Sequence, residues 1–159
     1  MVYALDEGRR DELVAGAVAT LRGLEGVDQV ATRANGEAVV HGARGELRFA
    51  PDGDGWRVDG QRAVLDLDGD TYPDALNRLW SALDCPHSGD VLASAALGYE
   101  FVDWGGADHV GGGSHGSLHR DDSEGVLLLC GVDAPDRERW ALTDVTGLVL
   151  DHFGVPLTR

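Results

Sequence analysis

Two turn signals constrain the first half of the chain more than anything else in it. Asn35-Gly36 stands between Val30-Ala31-Thr32 and Ala38-Val39-Val40, and Asp52-Gly53-Asp54-Gly55 follows Leu47-Arg48-Phe49. Asn-Gly accepts the positive φ that a two-residue hairpin turn needs at both central positions. Strands joined by so short a link can only run antiparallel. Residues 30–58 are therefore expected to form a meander of short strands, with Trp56-Arg57-Val58 and Ala63-Val64-Leu65 as extensions.

Helical spacing flanks this region. Leu13, Ala17, Val18, Leu21 and Leu24 recur at helical intervals up to Gly26, with Asp6 or a neighbour as the cap. A second helix is expected just after Tyr72, opened by Pro73 and Asp74, with Leu76, Leu79, Trp80 and Leu83 as its apolar stripe. Proline suits a first helical turn because its missing N–H has no partner there in any case.

The second half reads differently. Asp90 to Ala93 and Tyr99 to Val102 look like strands. Val126 to Cys130 is a continuous apolar run, the pattern of a strand covered on both faces. Trp140, Leu142, Val145, Leu148, Val149 and Phe153 predict a helix closed by Gly154, with Pro156 beyond. The expected organisation is a small α+β lobe over 1–70 and a C-terminal α/β portion over 71–159.

Charge narrows the function classes. The 159 residues carry 28 acidic and 13 basic side chains, a formal net charge of −15. Such a surface repels phosphate backbones and anionic lipids, so neither duplex nucleic acid nor a membrane surface is an expected partner. Every basic residue is arginine, which removes lysine from any catalytic scheme. Cys85 and Cys130 are too few for a disulfide scaffold and read as reduced, buried thiols of a cytoplasmic protein. The first residues lack both the basic region and the apolar core of a signal peptide.

The chemistry-bearing tract is Gly111-Gly112-Gly113-Ser114-His115-Gly116-Ser117-Leu118-His119. Glycine loses the most backbone freedom on folding, so folding alone gives little reason to surround one histidine with it. A neutral imidazole with small flanking residues can approach a metal closely, which makes His115 the best candidate ligand. The alternative is a flexible loop with an incidental histidine. His109 and His119 could serve the substrate side or support the ligand, but exposed loop positions suit them better. Asp121, Asp122 and Ser123 could orient a ligand histidine through its second nitrogen, or cap a turn, the reading we favour. Asp66, Asp68 and Asp70 resemble the start of a calcium loop, but the glycine is at 69 and Asn77 holds the twelfth position, where a glutamate is needed. They read as an acidic turn. Cys85-Pro86-His87 reads as a helix end.

From Gly89 to Val132 the chain resembles the alkaline phosphatase superfamily, in its type I phosphodiesterase and nucleotide pyrophosphatase branch. Gly89-Asp90, Tyr99-Glu100-Phe101, Gly112-Gly113-Ser114-His115-Gly116-Ser117 and Asp122-Ser123 before Val126-Leu127-Leu128 carry the resemblance. It implies an α/β fold, the C-terminal part of an alkaline-phosphatase-like sheet preceded by the small lobe. It implies that His115 is the last histidine of a two-metal site, usually zinc. Val126 departs from the pattern, where proline is expected. The nucleophilic serine or threonine, the early aspartate ligand and an Asp-His-Gly element are also absent; the Asp-His pairs are Asp108-His109 and Asp151-His152.

The expected function is therefore the C-terminal portion of a metal-dependent phosphoric ester hydrolase, incomplete alone. It would contribute His115 and be completed by a missing N-terminal catalytic portion that acts on a phosphoester. The alternative is a non-catalytic acidic interaction module derived from that fold. No catalytic or substrate-binding residue is assigned.

Overall fold

The computed structural model describes residues 1–102 and 116–156. The chain divides into two compact units, 1–124 and 125–159.

The first unit is built on five strands: β1 (Val27–Ala34), β2 (Glu37–Gly42), β3 (Gly45–Asp52), β4 (Gly55–Gly60) and β5 (Val91–Ala95). Their order is β4-β3-β2-β1-β5, and every pairing is antiparallel. The expected turns do form the meander. Asn35 and Gly36 both adopt positive φ, 54° and 79°, between β1 and β2. Gly60 ends β4 at φ 92°, where a Cβ would lie 2.5 Å from the Glu46 carbonyl oxygen. That close approach requires glycine.

Register decides which side chains are buried. Ala31, Val40 and Leu47 align across three strands, as do Ala38, Phe49 and Val58. Side chains at alternate positions share a face, so these rows make one apolar surface. Helix α2 (Ala75–Asp84) lays Ala75, Leu79 and Leu83 into the same cluster. Val64 and Leu65 join it from a 3-10 turn, Arg62–Val64, where a further strand was expected. Phe49, Trp56 and Trp80 meet with centroids 5.3–6.3 Å apart.

Helix α1 (Arg10–Leu21) follows a 3-10 turn capped by Asp6, whose Oδ1 accepts from Gly8 N at 3.0 Å. Its half-buried positions are Val14, Ala17, Val18 and Leu21. The expected stripe began one residue early: Leu13 and Leu24 are exposed.

Two more expected strands do not form among the described residues. Tyr99 to Val102 is not a strand. The chain turns at Gly98, Tyr99 N bonds back to Ala96 O, and the Tyr99 ring lies over Gly26. Its hydroxyl donates to Glu25 at 2.8 Å, so local contacts replace a ladder. Val126 to Cys130, expected to be a buried strand, is exposed and unpaired among the described residues. A strand needs a partner's N–H and C=O groups, and these residues have none there.

The second unit holds helix α4 (Leu142–His152); α3 (Arg120–Ser123) is a single turn in the first. Asp144 accepts from Ala141 N at 2.8 Å and from Arg137 Nη1 at 3.1 Å, which fixes the start of α4. Its end is a Schellman motif. Val155 N bonds to Leu150 O, Gly154 N bonds to Asp151 O, and Gly154 has φ 63°.

The mixed helix-and-sheet class thus holds, with an antiparallel sheet. Among the described residues no helix is long and apolar enough to cross a membrane.

Candidate metal-ligand loop

His115, His109, Asp108 and Gly111 to Ser114 lie outside the described residues. The described residues resume at Gly116. Gly116 has φ 103° and open space where a side chain would be. Its N–H donates to Asp122 O at 3.3 Å.

Ser117 is buried and uses its hydroxyl both ways. It donates to Asp122 Oδ2 at 2.6 Å and accepts from His119 N at 3.1 Å. Leu118 enters the core, and its N–H donates to Ser94 Oγ on β5 at 3.0 Å. The short helix α3 then turns the chain back, and Arg120 N donates to Thr71 O at 2.9 Å.

Arg78 of α2 ties this turn down. Its Nη1 donates to Pro73 O and Leu118 O at 3.1 and 3.0 Å. Its Nη2 donates to Ser117 O and Ser123 Oγ, both at 2.9 Å. The planar guanidinium is suited to such a fixed set of acceptors. Burial pulls its pKa below the usual arginine value, and the Asp74 carboxylate works against that shift. Ser123 Oγ has one proton and two carbonyls in reach, His119 O at 2.6 Å and Ser117 O at 2.9 Å. Residues 116–123 are thus cross-linked to α2, to β5 and to the Thr71 segment.

Asp122 and Ser123 hold the turn, as the capping reading expected. His119 Nδ1 accepts from Asp121 N at 3.2 Å, so that nitrogen is already engaged. The His119 ring meets Tyr72 edge-on at 6.1 Å. Tyr72 donates to Asp28 Oδ2 at 2.7 Å. Burial first, and that bond second, push its pKa up to about 12.

The acidic segment 66–70 sends its carboxylates to separate partners. Asp66 accepts from the Thr71 hydroxyl and N–H, which hold its pKa below the usual carboxylate range. Asp68 pairs with Arg62 at 2.7 Å, and Asp70 pairs with Arg120. These carboxylates do not converge, and the acidic turn is what forms. Cys85 closes α2, as expected, but both cysteines are exposed free thiols and not buried ones. Cys85 follows the last helical residue, and Cys130 ends the exposed apolar run. Among the described residues no three His, Cys, Asp or Glu side chains are grouped to hold a metal.

Sequence reasoning missed Arg78 and Ser94. Arg78 sits on the polar side of an amphipathic pattern, 39 positions from the carbonyl it holds at Ser117, and nothing in local spacing signals that contact. Comparisons with family models, with curated proteins and with solved structures returned no match.

Proposed function

We propose that this chain supplies the C-terminal portion of a metal-dependent phosphoric ester hydrolase of the phosphodiesterase and nucleotide pyrophosphatase type, with His115 as one zinc ligand. In this proposal the C-terminal portion belongs to an alkaline-phosphatase-like sheet, preceded by the small lobe. One observation carries it. Directly after His115, the backbone passes into a turn fixed by Arg78, Ser94, Ser117, Asp122 and Ser123. A ligand must be held within a fraction of an ångström to bind a metal well, and support from surrounding hydrogen bonds does this.

The described residues do not make a complete site. Zinc takes three or four protein ligands, and the described residues offer no such group. No catalytic step is therefore assigned to this chain alone; His115 is a contribution, and a catalytic portion on another polypeptide would hold the remaining ligands. A cytoplasmic setting fits the two free thiols.

A second reading, a non-catalytic acidic interaction module, is favoured by the internal engagement of Asp66, Asp68, Asp122 and His119 Nδ1.

The test mixes the chain with the polypeptide encoded next to it and follows zinc-dependent cleavage of bis(p-nitrophenyl) phosphate. Cleavage should appear on mixing and vanish with His115→Ala. Full activity in that variant would remove His115 from the site. Stoichiometric, high-affinity zinc on the isolated chain would count against the interaction-module reading.

A further inference from the structure

The apolar segment 126–129 is exposed along its whole length. Its residues are 86, 38, 88 and 40% exposed in order, an alternation with the two-residue period of a strand. All four are strong apolar residues without a charge among them. Among the described residues, no hydrogen bond reaches their backbone.

Those facts specify what covers the segment. Where such an extended segment is taken out of water, its N–H and C=O groups are satisfied together, in order, by the edge of another strand. Apolar residues on both faces require covering from both sides, so the segment suits a place within a layered sheet. An exposed strand of this composition otherwise promotes aggregation.

Charge distinguishes the candidate partners. The net charge of −15 opposes association of two copies. The second unit itself carries Asp133, Asp136, Glu138, Asp144 and Asp151 against Arg137, Arg139 and Arg159. Arg137 is already paired with Asp144. An anionic lipid surface is disfavoured by the same charge.

We propose that Val126–Leu129 is a docking strand for a different protein, one with an open β-sheet edge rimmed by basic side chains. This partner fits the catalytic portion suggested above, yet the docking does not depend on His115 binding a metal.

The experiment uses the whole chain. Alone, in sedimentation at 0.15 and 1 M salt, it should be a monomer. A dimer that strengthens with salt would assign the strand to a second copy and overturn the proposal. A benzoylphenylalanine placed at 128 is then cross-linked in the source cells, and the adduct is identified by mass spectrometry. The identified protein, purified and mixed with the chain, should slow amide exchange at 126–129 by about tenfold or more. Its affinity should fall by about tenfold or more between 50 and 200 mM salt.

Leu128→Pro should abolish the complex, because proline removes a ladder donor, while Leu128→Ile keeps it. Folding of both variants is checked by circular dichroism; an unfolded Pro variant is replaced by Leu128→Asp, with the same loss expected. A lipid adduct, a cross-link into a helix, or unprotected amides in the complex would each overturn the proposal. None of these readings involves zinc or phosphoester cleavage, so failure of the hydrolase assignment would be seen separately.

Discussion

Arg78 and Ser117, 39 positions apart, are joined through the Arg78 guanidinium and the Ser117 carbonyl at 2.9 Å. The same guanidinium serves three further acceptors. Truncating it takes a donor from each of these partly buried carbonyls, and Ser123 Oγ remains within reach only of Ser117 O among them; a carbonyl left short of a donor costs more than the bond contributes.

Arg78→Ala should therefore lower stability by about 2–3 kcal/mol, and Arg78→Lys should recover only part of it, since one ammonium cannot span the set. Urea denaturation measures both. Equal stability of the Lys variant and the parent would show that the fork geometry is unimportant.

The Ser117–Asp122 bond closes the turn from within. A double-mutant cycle with Ser117→Ala and Asp122→Ala should give a coupling of about 1–2 kcal/mol. Additive losses would mean that the 2.6 Å contact contributes nothing of its own.

Two glycines separate backbone strain from steric conflict. Gly116 has positive φ with nothing near an added Cβ, whereas Gly60 has positive φ and the Glu46 carbonyl oxygen at 2.5 Å. Gly116→Ala should cost about 1–2 kcal/mol from conformation alone. Gly60→Ala should cost clearly more, and the reverse order of melting temperatures would refute the distinction.

Tyr72 gives the alkaline prediction. Its folded pKa is raised to about 12, against about 10 in an unfolded chain. Its stabilising effect is thus full below pH 10 and is lost as pH rises towards 12. Stability followed by denaturation from pH 9 to 12 should fall in that window, and Tyr72→Phe should flatten the fall.

His41 gives the acid-side counterpart. Burial lowers its pKa, outweighing Glu46 at 3.4 Å. A histidine kept neutral in the fold contributes fully above about pH 6.5 and loses that contribution as pH falls below it. His41→Gln should make stability less pH-dependent between 7 and 5; an unchanged slope would exclude this origin.

Local grammar made the meander and the C-terminal end of α4 legible. Asn35-Gly36 specified a turn that its own residues could enforce, and Gly154 specified a helix end. Where the outcome depended on distant contacts, the pattern was insufficient. Val126 to Cys130 has the composition of a strand, but a strand exists only when another lies beside it. Tyr99 has high strand preference, but the uncrowded surface of Gly26 takes its ring. The turn after His115 showed its small residues in the sequence, while the arginine that fixes it did not.

The position of β5 at the end of the sheet has a further consequence. On its outer side it is met by a two-residue bridge, Val2 with Val91, while Ala4 N and Arg10 both reach Asp90. The first ten residues therefore act as a clasp on the strand whose Ser94 holds Leu118. A tag or truncation at the N-terminus would be felt, through β5, at the backbone beside His115.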